Sequence, residues 1–443
     1  MRHILLVTLL SSTSLAAAPQ DWAHWRGPAF DGSSEVIGLP TSFDPAENIR
    51  WSTELPGPSA ATPIIVGDRI YVTAAVKNEG ELRGICVDRE SGRILWSHDL
   101  HSGYRPGDKG EATWLHNRSN YASPSPVADE NQVIFFFGNG DLVALTPEGE
   151  PAWRKNLQQA YGDFCFQWTF SASPTLHDGR IYIQILQRDQ PVGGIGKADA
   201  ESFLLALDAS NGEEIFRHVR PSPARRESLE SYATPIPVSH GDREEILVVG
   251  GDVISGHDPA SGKEYWRWGT WNPDHREEWW RLVPSPVVGK GMVLACGPKG
   301  APVVAVRLGG EGDLNDEHVA WQKEGRANPV TTDVPTPLFY QDAFFVLSDL
   351  RNKLSRLGAD GEAAWTIDLP RDWKWRASPT GADGRLWLID HNGNMIAIDA
   401  ATGETQFRAE LGNEDDDGIR ASVAAAHGAL FVRTNSSLIC IAR

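Results

Sequence analysis

Cysteine is scarce in this chain: four in 443 residues, at positions 86, 165, 296 and 440, with no two adjacent. That excludes a small disulfide-stapled fold and any C-x-x-C redox or zinc site. Positive charge is also short, with 41 Lys and Arg against 59 Asp and Glu and a formal net charge of −18. A polyanion such as nucleic acid, or an anionic membrane surface, is therefore not the expected partner. The apolar stretch Ile4 to Leu10 is too short to span a membrane. The sequence contains no G-x-S-x-G elbow, no H-E-x-x-H metal site and no phosphate-binding loop, so the usual signatures of serine hydrolases, zinc proteases and nucleotide hydrolases are missing.

What the chain does have is a repeat, plainest over residues 377 to 411. Ala377-Ser378-Pro379 opens it, Asp383-Gly384 turns it, Leu386 to Ile389 is apolar, Asn392-Gly393 turns again, and Met395 to Asp399 follows before Thr402-Gly403 and Phe407. Asp-Gly and Asn-Gly between short apolar runs are hairpin signals, because both central residues must accept positive φ. The unit reads as four short antiparallel strands. Other copies begin at Ala61-Thr62-Pro63, Ala122-Ser123-Pro124, Ala172-Ser173-Pro174, Ala233-Thr234-Pro235, Pro284-Ser285-Pro286 and Pro335-Thr336-Pro337, with Ala421-Ser422-Val423 as the eighth. Their spacings of 61, 50, 61, 51, 51, 42 and 44 residues predict an all-β, eight-bladed β-propeller.

Each unit closes on a turn and a large ring. Ala397, Asp399, Thr402, Gly403 and Phe407 share their spacing with Ala206, Asp208, Asn211, Gly212 and Phe216. Units ending at Trp96 and Trp266 keep it with small changes; Trp153 and Trp365 keep the Gly-to-Trp step; Trp321 follows an insertion that has lost it. The glycine supplies positive φ, and the ring is expected to pack on the neighbouring blade, worth about 4–6 kcal/mol as an upper bound. This spacing resembles the tryptophan-docking motif of the pyrroloquinoline quinone (PQQ) repeat family, which includes eight-bladed quinoprotein dehydrogenases and the outer-membrane assembly factor BamB. The resemblance covers most of residues 51 to 443. It implies the fold, and either an enzyme or a scaffold built on it.

Residues 1 to 18 read as a secretory signal peptide: basic Arg2-His3, an apolar core and Ala16-Ala17-Ala18. No lipidation cysteine follows, so the expectation is a periplasmic or secreted protein without a membrane anchor. Residues 19 to 46 are expected to pack on the propeller through Trp22, Trp25 and Arg26, and residues 47 to 443 to form it. The segment around Trp51 looks like an outer strand without a blade, and the last copy stops one strand short. Trp51 is therefore predicted to complete blade eight and close the ring. Cys86 and Cys440 stand where Ala144, Ala206 and Ala397 stand elsewhere, facing a sheet roughly 10 Å away and so beyond bridging distance. Buried free thiols are expected.

Connections between blades carry aromatic and basic residues that a propeller gathers round one mouth of its channel. The candidate binding face comprises Trp114, His116 and Tyr121 from the first connection, then Trp168 and Tyr232. Trp279, Trp280 and Arg281 come from the fourth, and Trp375, Arg376 and Arg420 from the last two. Loops on a rigid scaffold are where sites are built, and Trp, Tyr and Arg dominate binding hot spots. The acidic run Glu414-Asp415-Asp416-Asp417 could supply calcium ligands but lacks EF-hand spacing. Quinoprotein dehydrogenases carry adjacent cysteines beside their cofactor, and this chain has none. The resulting expectation is a monomeric, non-enzymatic binding or assembly scaffold without catalytic residues, cofactor or metal, whose partner is an envelope protein, extracellular glycan or peptide. The alternatives are a PQQ- and calcium-dependent alcohol or sugar dehydrogenase and a glycan- or peptide-binding propeller.

Overall fold

Short apolar strands joined by tight turns can bury both faces only by stacking sheet on sheet, and here they do so around a circle. The structure, a computed structural model, describes residues 20–108, 113, 116, 118–269, 271–325, 328–414 and 416–443. The expected signal peptide and Trp114 lie outside the described residues. The strands form eight sheets, seven of four strands and one of five. In chain order the blades span 64–99, 127–156, 175–219, 236–268, 287–323, 338–368, 380–410 and 424–441, the eighth completed by Ile49–Glu54. Within blade 7, Asp383 and Gly384 take φ of 50° and 75° and Gly393 takes 83°, the values that tight hairpin turns need. Inner and middle strands are mostly buried, as in Arg385–Ile389, whereas outer strands such as Ala363–Asp368 alternate, since their outward side chains meet water.

Strand Ile49–Glu54 runs antiparallel to Ser437–Ile441 with Trp51 opposite Cys440, and the Ala442 N–H donates to the Asn48 carbonyl at 2.9 Å. The ring is thus closed by a strand from the other end of the chain. All four cysteines are free and buried; burial first of all raises the thiols of Cys86, Cys165 and Cys440 to about 12, 11 and 11.

A second closure lies at the hub. The Thr62 N–H donates to Ser125 Oγ, Ser125 to Ser173, Ser173 to Thr234 and Thr234 to Ser285. Ser285 donates to Thr336, Thr336 to Ser378, Ser378 to Ser422, and Ser422 back to Thr62 Oγ1. All eight bonds measure 2.9–3.2 Å and run in one sense. This circle corrects one boundary: in blade 2 the hub residue is Ser125 of Pro124-Ser125-Pro126, two positions beyond Ser123. Ser123 instead donates to the Asn120 carbonyl at 2.7 Å within the approach to the blade.

Five outer-strand indoles reach across to the next blade. Trp51, Trp96, Trp153, Trp321 and Trp365 donate to the carbonyls of Arg89, Pro147, Ala209, Ala359 and Ala401 at 2.9–3.0 Å. Each ring lies over a turn glycine: a Cβ on Gly92, Gly149, Gly212, Gly361 or Gly403 would stand 2.5–3.1 Å from the indole. Phe216 sits likewise over Gly262, and Phe407 packs beside Trp387 at 5.8 Å. Trp266 differs. Its N–H donates to Glu245 of its own blade at 2.7 Å, because the matching turn of blade 5 is replaced by an insertion. Gly312–Asp313 of that insertion runs parallel to Trp266 and Arg267 as a fifth strand.

Residues 21 to 26 cross the axis beneath the hub. Trp22 exchanges backbone bonds with Ile65 of blade 1, His24 bonds the Leu176 carbonyl of blade 3, and Arg26 donates to Pro337 and Pro379 ahead of blades 6 and 7. The Asp21 carboxylate bonds Gly67 N–H and the His427 ring, in the inner hairpins of blades 1 and 8. That end of the channel is covered by the chain itself.

Candidate functional site

At the opposite end the interblade connections surround a cavity of about 410 Å³. Trp25 reaches it from the covering segment below; its walls include the hub hydroxyls of Ser125, Ser173, Thr234, Thr336 and Ser378. Each of these hydroxyls accepts a neighbour's N–H and keeps its own proton to donate. Two further lining groups, Trp25 Nε1 and Ser119 Oγ, are buried with no hydrogen-bond partner. The cavity is blind, polar and well supplied with donors.

Its rim is cationic. Arg118, Arg281, Lys374, Arg376 and Arg420 all line it, against Asp333 alone among carboxylates. Asp333 is already engaged, with Oδ1 and Oδ2 each 3.1 Å from the Arg281 guanidinium. Arg376 is paired with Asp349 beneath the wall; burial raises that carboxyl to about 6 against the pull of the Asp333 N–H and Arg376. Arg420 donates to the Gly418 carbonyl at 2.8 Å, and burial followed by Arg376 lowers its pKa. Behind them His391 is buried, its Nε2 without a partner. Burial, then Arg420, Lys374 and Arg376, pull it down to about 3, so it stays neutral.

An aromatic wall faces the cations. Trp168 lines the cavity, its indole N–H donating to Glu227 at 3.2 Å, with the Arg118 guanidinium 4.6 Å from its ring and His116 edge-on at 4.5 Å. Tyr232 lines it too, and its hydroxyl donates to Glu230 at 2.5 Å. Glu230 also takes the Gln167 N–H and Arg188, so this carboxylate is enclosed.

Of the sequence-derived face residues, Trp168, Tyr232, Arg281, Arg376 and Arg420 meet in the cavity wall. His116 stands behind Trp168. Trp279 is half exposed on the rim, with Arg188 and Arg226 within 6 Å of its ring; Trp280 packs against the core of blades 4 and 5. Tyr121 and Trp375 do not reach the face: both are fully buried in the core, because each precedes or enters a blade where the neighbouring sheet covers it. Lys374 was not legible as a site residue. The signal was there in Trp373-Lys374-Trp375-Arg376, where period-two alternation buries Trp375 and turns Lys374 and Arg376 together toward the channel. The acidic run is no calcium loop of the usual kind. Asp416 is buried and accepts from Asn413 N–H and Ser436 N–H, Asp415 lies outside the described residues, and no group of three or more His, Cys, Asp or Glu side chains among the described residues is placed to hold a metal.

A family profile described as outer membrane protein assembly factor BamB matches residues 42–183, 85–314 and 310–442. A polyvinylalcohol dehydrogenase from a Pseudomonas species is 22% identical over 224 residues, 48% of this chain, and the match spans only 32% of that protein. Among solved structures, a europium-containing methanol dehydrogenase superposes with a TM-score of 0.70 at 11% identity, covering 96% of this chain and 98% of the other. Quinohemoprotein alcohol dehydrogenase from Comamonas testosteroni gives 0.66 at 14%, covering 96% and 81%. BamB from Moraxella catarrhalis gives 0.55 at 13%, covering 89% and 99%. At such identities the likeness is one of fold.

Proposed function

Because the chain belongs to the PQQ-like β-propeller repeat family, we propose that it is an exported, non-enzymatic binding scaffold whose working surface is the loop face around the cationic mouth. The observation that carries this is the charge arrangement at that mouth. Five cations line a blind cavity in a protein of net charge −18, while Asp333, Asp349 and Glu230 are each tied to an arginine. A general base needs a carboxylate or imidazole free to take a proton; the groups at this wall are committed to holding the cations in place. What such a mouth offers is recognition of negative charge on a glycan, peptide or envelope protein.

The second reading is a PQQ-dependent dehydrogenase acting on an alcohol or sugar, favoured by the quinoprotein neighbours and by Trp168, Arg376 and Arg420 lining one cavity, a set that suits a flat acidic quinone. A quinone bound there would supply hydride or electron acceptance. The calcium that accompanies PQQ in such enzymes has no matching carboxylate set among the described residues. Calorimetric titration of the mature protein with PQQ, with and without calcium, followed by a dye-linked assay on simple alcohols and sugars, separates the readings. The scaffold reading expects no turnover; tight calcium-dependent binding with turnover overturns it.

A further inference from the structure

We propose that the blind cavity is a binding site for an acidic sugar, a hexuronate at the end of a saccharide chain. The inference rests on the binding reading above and names the ligand for its central site.

Three features of the cavity point to this chemistry together. The first is charge without a counter-charge. Arg281 is satisfied by Asp333 and Arg376 by Asp349, but Arg118 and Lys374 have no ionic partner among the described residues, and Arg420 hydrogen-bonds a backbone carbonyl with only the weaker, more distant pull of Asp417 on its charge. After burial, Arg376 and Arg118 lie close enough to Arg420 to disfavour its charge, and Arg420, Lys374 and Arg376 all bear on His391 behind the wall. A wall of like charges is relieved by an anion between them, and a carboxylate matches a guanidinium fork. The second is the flat face opposite. Trp168, with the Arg118 guanidinium 4.6 Å from its ring, and Tyr232 line the same space, and the C–H face of a pyranose stacks on aromatic rings while its edge stays polar. The third is the supply of neutral hydrogen-bonding groups deeper in the cavity. The hub hydroxyls retain protons to donate, and Trp25 Nε1 and Ser119 Oγ are buried there unpartnered. A buried donor left without a partner is costly, and ring hydroxyls of a sugar would accept from these groups. A simple inorganic oxyanion would use the cations and leave the aromatic wall and deep donors idle. A cavity of about 410 Å³ closed at the far end by the chain's own segment admits one or two sugar rings, hence a chain end.

The test is calorimetric titration of the full mature protein with D-glucuronate and trigalacturonate, with glucose, maltotriose, phosphate and an Asp/Glu-rich peptide as comparators. Trigalacturonate is expected to bind at micromolar to submillimolar Kd, quench Trp fluorescence and weaken with salt, while neutral sugars bind at least tenfold worse. Lys374→Gln, at an exposed side chain, is expected to leave the melting temperature unchanged and to lower uronate affinity several-fold; adding Arg420→Gln is expected to lower it at least tenfold. Equal affinity for phosphate, binding of the peptide but not the uronate, or undiminished affinity in the double variant would each overturn the inference. A dye-linked assay on the same preparation keeps the two readings apart: turnover with PQQ sinks the scaffold reading, whereas absence of both turnover and uronate binding sinks only this one.

Discussion

Asp333 holds two things at once, the Arg281 guanidinium through both carboxylate oxygens and the Lys299 N–H at 3.2 Å. Replacing it with asparagine leaves a nearly buried cation with only Glu227, 3.9 Å away, and removal of one member of such a pair costs up to about 3 kcal/mol. Thermal and urea unfolding of Asp333→Asn are expected to show a loss of that order. His391 makes a different claim, on pH. It is neutral in the fold, pulled down to about 3 by burial and the neighbouring cations, while an unfolded histidine titrates near 6.5. Between those values the unfolded chain binds a proton that the native state does not, so this residue's contribution is present above about pH 6.5 and lost as pH falls. His391→Gln is expected to flatten the rise of stability with pH between about pH 4 and 6, by up to ~1.4 kcal/mol per pH unit; an unchanged slope in urea unfolding would contradict it. At this scale the sequence was only partly legible. Arg376 and Trp375 are neighbours with the same look in a loop, yet one lines the cavity and the other is in the core, because the difference lies in which side of a strand each occupies and which sheet is beside it. Composition also hid the mouth: a chain of net charge −18 gave no hint that its channel is lined by cations brought from four separate connections.

The blade is the element that the sequence states most clearly. Turns such as Asp383-Gly384 and Asn392-Gly393 demand positive φ, and few residues other than Gly, Asn and Asp accept it, so the four-strand unit is written in its punctuation. Where an insertion removes the punctuation, legibility goes with it. The segment between Arg307 and Val319 conceals the turn that should have received Trp266, and nothing in the sequence tells that its indole turns to Glu245 instead. The two kinds of ring contact are expected to respond differently to the same change. Trp96→Phe keeps most of the packing and loses the bond to the Pro147 carbonyl, costing about 1 kcal/mol. Trp266→Phe strips one of the partners of a fully buried carboxylate, left then with Arg243, and is expected to cost about 2–3 kcal/mol. Urea midpoints for the two variants, at equal m-values, check the order.

The whole molecule depends on two circles, one of strands at the rim of blade 8 and one of hydroxyls at the hub. A chain beginning at Pro58 lacks the outer strand of blade 8 and uncovers the edge of Ser437–Ile441; it is expected to melt at a lower temperature and to self-associate on size-exclusion chromatography. The residues at both ends of this closure were readable, since two incomplete fragments of the same repeat can complete only each other. The hydroxyl circle was less so, because Ser123 and Ser125 both satisfy the pattern and only the blade's own geometry chooses between them. The closing strand also determines how the molecule yields to force. Ile49 lies opposite Ile441 and Glu54 opposite Ser437, so a load carried by Asn48 and Arg443 falls on one end of the ladder. Its bonds then break in succession, as a zipper does, rather than all at once in shear. Whatever the ring withstands from heat, tension across that seam meets its hydrogen bonds one at a time.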